Sequence, residues 1–306
     1  MGSTPRTTLG KAARPERLWA AWAKVAGGSP RAGSDGLTVA DFARHLDRHL
    51  AGLGQQLRSG SYEPQPLVQR HAKVHEKIRR LCIPTVRDRI AQRTVLDTAN
   101  RTLDRELAES SFAYRRRRGW LTALNAVQQC RQEGLRWVVR IDIRDFFEQV
   151  DHDTLRAELS TTLDRGAVET MMAWVQAPVI HDNGVAPNAR GIPQGAPISP
   201  ALANRYLHSL DQRVHNRVGR LVRYADDIAV FCPDEAQAVR ADAAVREVLA
   251  DLRLEANPAK SYLSHFDRGF AFLGWVFFRD GGYEEAPTPG WTHPLSSPNA
   301  TAGRAV

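Results

Sequence analysis

The sequence predicts an α+β fold, a mostly antiparallel sheet with helices packed on one face. Three observations carry that expectation. Helical and strand patterns intermix along the 306 residues with no regular βαβ alternation. The run "LRWVVRIDIRDFF" (Leu135 to Phe147) begins as a β-branched stretch too apolar for a surface strand. The run "RLVRYADDIAVFC" (Arg220 to Cys232) reads as strand, tight turn, strand.

The elements follow in order. A helix is expected from about Pro15 to Ala26, ending at "GGSP". "SDGLTVADFARHLDRHLAGLGQQLRSG" reads as a turn and then an amphipathic helix, with Phe42, Leu46, Leu50, Leu53 and Leu57 near helical spacing. "IRRLCIP" is a short strand stopped by Pro84, and the stretch before it, with His71 and His75, reads as a basic loop. "TVRDRIAQRTVLDTANRTLDREL" and "GWLTALNAVQQCRQEG" are helices. "DHDTLRAELSTTL", with an Asp N-cap, and "GAVETMMAWVQAP" are two more. "SPALANRYLHSLDQRVHNRV" starts with Ser199 as N-cap and Pro200 at the first helical position. "DEAQAVRADAAVREVLADLRLEANP" reads as a helix closed by Asn257-Pro258, and "GFAFLGWVFF" as a last strand or hairpin. From about Asp280 the tail is rich in Pro, Gly, Ser and Thr and reads as disordered or loosely docked.

Composition sets bounds. An apolar fraction of 42% suffices for a sizeable core. No window of about 18 apolar residues suggests a membrane span, and the N-terminus "MGSTPRTTLGKAARPERLW" lacks the apolar stretch of a signal peptide. Cys82, Cys130 and Cys232 form neither a metal spacing nor a disulfide framework, which suits a cytoplasmic setting. The formal net charge of +8 favours a polyanionic partner. From Arg70 to Arg93 eight Lys/Arg stand against two acids, and "YRRRRGW" places Arg115, Arg116, Arg117 and Arg118 between Tyr114 and Trp120. Such runs serve as solvated faces or as phosphate-binding surfaces with aromatics for stacking.

The chemistry concentrates in three carboxylates. Asp142 stands late in the apolar run, and Asp226-Asp227 stand at the tip of an apolar hairpin. Taken alone, the pair reads as a turn, where Asp is common. Gathered with Asp142 it becomes a repelling charge cluster that divalent cations would relieve. Two such ions about 4 Å apart can clamp the attacking and leaving oxygens of a phosphoryl transfer.

Six segments occur in one order. They are "IRRLCIPTVRDRIAQ" (Ile78 to Gln92), "SFAYRRRRG" (Ser111 to Gly119), "IDIRDFFEQVDH" (Ile141 to His152), "GIPQGAPISPALANRYLHSLD" (Gly191 to Asp211), "YADD" (Tyr224 to Asp227) and "FLGW" (Phe272 to Trp275). Together the chain resembles reverse transcriptases, closest to the group II intron-encoded and group II-like bacterial type, over roughly Asp35 to Phe278. "GSDGLTVADF" resembles the N-terminal extension of the intron-type enzymes.

The resemblance implies the fingers and palm of a right-hand polymerase. Residues 1-34 would be an N-terminal segment, 35-134 the fingers with their extension, 135-279 the palm with catalytic site and primer grip, and 280-306 the tail. It implies an RNA-directed DNA polymerase extending a primer 3′-hydroxyl, on DNA or RNA, with dNTPs on an RNA template. Asp142 and Asp226 would ligate two Mg²⁺ ions (Mn²⁺ a substitute), helped by the Ile143 carbonyl, with Asp227 supporting the site. Lys260 would protonate pyrophosphate, or else is a solvated helix-end cation. Phe147 would be the steric gate against ribonucleotides, although alone it reads as a core aromatic. Gln194, Lys77 and Arg79 would contact the incoming dNTP; the usual "GK" ahead of the last two reads Glu76-Lys77 here. Arg115, Arg116, Arg117 and Arg118 would touch the template backbone, and Phe272, Leu273, Gly274 and Trp275 would seat the primer terminus.

The match stops near Phe278, no thumb is evident, and a protein or RNA partner is expected to supply that grip, a CRISPR adaptation integrase being one candidate. Neither the "VTG" element typical of retron enzymes nor an altered PQG…SP block is seen, leaving a compact group II-like enzyme. CRISPR spacer acquisition and phage defence are its candidate settings. The competing readings are a vestigial polymerase acting as RNA chaperone or splicing cofactor, a template-independent defence polymerase, and a metal hydrolase.

Overall fold

A computed structural model describes residues 7–74, 77–278 and 283–285. In chain order these form α1 (Thr8–Ala12), α2 (Pro15–Ala26), α3 (Val39–Ala43), α4 (Leu46–Ser59), β1 (Leu67–Val74), β2 (Lys77–Ile83), α5 (Val86–Glu106), α6 (Trp120–Gln132), β3 (Trp137–Asp142), α7 (Phe146–Gln149), α8 (His152–Ser160), α9 (Arg165–Gln176), β4 (Val179–His181), β5 (Gly184–Ala186), α10 (Ser199–Tyr206), α11 (His208–Val214), β6 (Arg220–Tyr224), β7 (Asp227–Cys232), α12 (Glu235–Asp251), β8 (Tyr262–His265), β9 (Phe270–Phe272), β10 (Trp275–Phe277) and β11 (Tyr283–Glu285). They divide into two compact units, Met1–Glu106 with Val150–Tyr206 and Leu107–Gln149 with Leu207–Val306.

The first unit packs helices beside a four-stranded sheet of order β2-β1-β4-β5. In α2, Pro15 opens the helix, and Leu18, Ala21 and Val25 recur on its buried face. In α4 that face is Leu50, Leu53 and Leu57. The Thr85 hydroxyl accepts from the Asp88 N–H at the start of α5, whose 21 residues span about 31 Å. Arg89 on α5 donates to the carbonyls of Ser29 and Arg31, both at 2.6 Å. Gly33 makes that approach feasible, since a Cβ there would lie 2.5 Å from the Thr85 backbone.

The second unit is built on the antiparallel sheet β6-β7-β3-β8. On one face α6 contributes Ala123, Leu124, Val127 and Cys130 to a core with Val138, Val222 and Phe231 and with the hairpin phenylalanines Phe270, Phe272 and Phe277. The buried residues of α12 are absent from that cluster, and α12 packs on β3, β7 and β8, where Val139, Ile141 and Ile228 point the other way. The expectation of helices on one face therefore needs widening, because helices and the β9–β10 hairpin cover both. Burial pushes the Cys130 thiol up to about 12 and the Cys232 thiol up to about 11, while Cys82 is half-buried.

Several expectations change in detail. The basic loop before "IRRLCIP" is strand β1, paired in register with β2 from Val68↔Ile83 to Val74↔Lys77. The helix from Ser199 breaks at Leu207 into α10 and α11, and the Ser199 hydroxyl donates to the Pro193 carbonyl at 2.6 Å. Helix α12 stops at Asp251, ahead of Arg253 at φ 54, so Asn257-Pro258 closes no helix. Strands β4, β5 and β8 carry too few residues for an alternation to stand out. The tail expected from 280 to 306 lies outside the described residues apart from β11.

Candidate active site

Strand register brings two of the three carboxylates together. Asp142 ends β3, Asp227 begins β7, and the two are direct cross-strand partners. Alternation puts Asp142, Arg140 and Val138 on one face, opposite Asp227, Ala229 and Phe231. Asp226 precedes in the turn between β6 and β7, half-buried, after Ala225 at φ 57. Like charges directly opposed destabilise a sheet unless something neutralises them.

Two cations do so. The Lys260 ammonium lies 3.2 Å from Asp142 Oδ2. Arg140 Nη2 reaches Asp227 Oδ1 at 2.5 Å. Burial works against the charge on Arg140, but Asp227, Tyr262 and Asp142 outweigh it and hold its pKa above the usual value. The same guanidinium donates to the Ala271 carbonyl at 2.7 Å and lies 4.7 Å over the Phe272 ring. Leu273 N–H donates to the second Asp227 oxygen at 3.4 Å. The β9–β10 turn, with Leu273 at φ 54 and Gly274 at φ 81, is thus keyed to Asp227 through Arg140.

Asp142 is dressed by the segment after α12. Asn257 N–H donates to the Asp142 carbonyl at 2.7 Å, and its amide reaches Asp142 Oδ2 at 3.3 Å. The Asn257 side chain also accepts from Ala259 N–H, a turn that delivers Lys260. Asn257-Pro258 therefore wraps the first aspartate.

Behind the turn lies Arg223, fully buried. It grips Asp211 with two bonds of 2.7 and 2.6 Å, and donates to Ser111 Oγ and to the Ala225 carbonyl, each at 2.9 Å. Both members of that ion pair are wholly shielded from solvent. Sequence reasoning missed Arg140, Asn257 and Arg223. The available signal was a lone arginine inside an apolar strand, which must find a buried partner.

The remaining expected residues divide between the units. Phe147 on α7 is half-buried and meets Phe146 edge-on at 5.6 Å, and it is Phe146 that enters the core. Trp275 stacks on Trp120 at 5.9 Å. The four arginines are not equivalent. Arg115 binds the Ala108 and Ser111 carbonyls, Arg118 binds the Glu109 carbonyl and covers Phe112, and Arg116 and Arg117 are exposed. In the first unit, Arg79 is exposed on β2, and the Gln194 carbonyl accepts from Cys82 N–H at 2.7 Å. Gly195, at φ 96, lets that loop turn against β2. Lys77 opens β2, whereas His75 and Glu76 lie outside the described residues.

Among the described residues no three His, Cys, Asp or Glu gather closely enough to hold a metal. The donor chemistry nevertheless suits hard divalent ions. Asp142 ends its strand opposite Asp227, Asp226 stands in the adjoining turn, and Asp142 already attracts an ammonium. Among the described residues no helix is long and apolar enough to cross a membrane.

Residues 70–277 match the family model described as "Reverse transcriptase (RNA-dependent DNA polymerase)". Protein YkfC of Escherichia coli is 28% identical, covering 82% of this chain and 77% of that protein. The group II intron-encoded protein LtrA of Lactococcus lactis is 31% identical over 52% of this chain and 27% of its own length. The chain thus spans about a quarter of that longer relative. Among solved structures, a chain of a partial Cas6-RT-Cas1–Cas2 complex has a similar fold, with TM-score 0.50 at 23% identity over 81% of this chain and 42% of the other.

Proposed function

The chain belongs to the reverse transcriptase (RNA-dependent DNA polymerase) family, and on that premise we propose that it extends a primer 3′-hydroxyl with dNTPs on an RNA template by two-metal phosphoryl transfer. The observation that carries this reading is the cross-strand pairing of Asp142 with Asp227, with Asp226 in the adjoining turn. Bound Mg²⁺ ions would activate the hydroxyl and neutralise the leaving pyrophosphate. Asp142, Asp226 and the Ile143 carbonyl are their holders. Asp227, engaged by Arg140 and Leu273 N–H, is the positioning carboxylate. Lys260, against Asp142, is the acid for pyrophosphate.

The finer assignments belong to the same proposal. Residues 35-134 act as fingers and 135-279 as palm. Lys77, Arg79 and Gln194 grip the triphosphate and base, Phe147 gates the sugar, and Phe272 to Trp275 seat the primer. Arg116 and Arg117, both exposed, suit template phosphates better than the engaged Arg115 and Arg118. A CRISPR adaptation integrase is one candidate partner, in keeping with the fold shared with a chain of the Cas6-RT-Cas1–Cas2 complex, and the genes flanking this one would test that pathway.

Primer extension on an RNA template with Mg²⁺ tests the reading. Wild type is expected to incorporate dNTPs in template order and Asp226→Ala to fall to background. Equal incorporation by the two proteins, or none by either, would defeat it.

A further inference from the structure

A cavity of about 460 Å³ lies in the second unit away from the carboxylates. It is bounded by α6, the arginine segment and the first residues of β6. Arg220 opens β6 and Tyr224 closes it, about 13 Å of strand further on, next to the Ala225-Asp226 turn. The volume falls in the range that takes a mononucleotide-sized ligand.

The walls carry two kinds of recognition. Arg117, Arg118 and Arg220 line it with one carboxylate, Glu109, and Arg220 is also paired with Glu133 at 2.9 Å, so three cations stand against two acids, a local excess of positive charge. From α6, Asn125 and Gln129 place amides one helical turn apart; the Gln129 NH2 donates to Glu133 at 3.0 Å, which leaves its carbonyl oxygen as an acceptor. Two polar atoms on the wall have no hydrogen-bond partner although they are buried, Ser110 Oγ and His215 Nδ1. Ser110 itself is only 2% exposed. Buried polar atoms are normally satisfied, so an unsatisfied pair beside a cavity calls for a hydrogen-bonding partner from within it, and a polar ligand meets that need. Burial, aided by Arg220, lowers the His215 pKa and favours the neutral ring, which can accept as well as donate. The segment also stores strain, with Tyr114 and Arg117 both at φ 60 without being glycine.

We propose that this cavity binds one nucleotide unit, its phosphate on Arg117 and Arg220 and its base on Asn125, Gln129 and Ser110. Arginine suits the phosphate because its fork donates two parallel bonds. The amides and the Ser110 hydroxyl suit the mixed donor and acceptor edge of a base. The site is independent of the polymerase centre and needs no metal.

The test is equilibrium binding of adenosine 5′-monophosphate to the full chain in EDTA, with inorganic phosphate titrated alongside. Arg117→Ala and Asn125→Ala change exposed side chains, so thermal melts should match wild type. Each is expected to weaken nucleotide binding about tenfold or more. Ala126→Trp, which fills the cavity, is expected to abolish it. Asp226→Asn should leave the affinity unchanged. A short single-stranded RNA distinguishes the source of the unit. Arg117 also serves template phosphates, so Asn125→Ala and Ala126→Trp decide: if they weaken RNA binding as well, the nucleotide belongs to a strand; if they weaken only the monophosphate, it is a free nucleotide. The proposal is overturned by the absence of binding at millimolar nucleotide or by unchanged affinity in the cavity variants. Phosphate binding as tightly as the nucleotide, or loss of binding in Asp226→Asn, overturns it equally.

Discussion

Arg223 holds the backbone carbonyl of Ala225 while its charge is matched by Asp211, with neither side chain reaching solvent. Removing one partner of such a pair leaves a bare charge in the core. Arg223→Met is therefore expected to lower unfolding free energy by about 3–5 kcal/mol in urea titration. The double change Arg223→Met with Asp211→Leu should recover much of that loss. No recovery would mean that the bonds to Ser111 and Ala225, rather than charge matching, dominate. A second residue-scale test concerns sugar choice. Phe146 fills the core and leaves Phe147 half-buried beside it. Phe147→Ala should raise ribonucleotide use relative to dNTPs, with little change in stability. Unchanged discrimination in steady-state incorporation would remove Phe147 from the gate. The three aspartates were legible because carboxylates in apolar runs are conspicuous. Arg140 and Arg223 were not, because no local pattern pairs them: Arg140 bonds to the distant Asp227 and Ala271, and Arg223 bonds to Asp211 on another element and to the distant Ser111.

At the scale of elements, caps add a dependence on pH. Asp164 starts α9, accepting from Ala167 N–H at 3.1 Å and from Thr8 N–H at 2.9 Å. Burial acts to raise its pKa, but these hydrogen bonds prevail and hold it below the ordinary carboxylate value. The folded-state value is thus the lower one. Its stabilisation is present above the unfolded pKa of about 4 and is lost as pH falls through the folded value. Asp164→Asn keeps a capping oxygen without the titration. Acid unfolding monitored by circular dichroism should then show a smaller stability loss below about pH 4 than in wild type. An identical acid profile would rule out this contribution. The long periodic helices and the strongly apolar strands were readable from their patterns. The three-residue strands β4 and β5 were not, since pairing with β1 and with each other defines them. Asn257-Pro258 mimics a helix stop, and only the bonds to Asp142 reveal its use.

For the whole molecule the governing quantity is charge. A net +8, with exposed arginines at Arg79, Arg80, Arg116 and Arg117, favours binding through phosphates. Affinity for single-stranded RNA should fall linearly with salt on logarithmic axes, by a slope of about 0.7 per phosphate contacted. A flat response in a filter-binding titration would count against that surface. The antiparallel sheet was foreseeable from the order of apolar runs. The two-unit division was not, because the chain leaves the first unit at Glu106 and returns at Val150.

The uneven burial of the cysteines has a practical side. Cys130 and Cys232 are shut in and hold their protons up to about 12 and about 11. Cys82 is the least buried of the three, packed in part against Leu67, Ala177 and Val179, and its own backbone N–H binds the Gln194 carbonyl. The natural chain therefore carries an intrinsic attachment point for a maleimide dye. A fluorophore there would sit one hydrogen bond from the Pro193-Gln194-Gly195 loop and report on what that loop contacts, with no engineered residue.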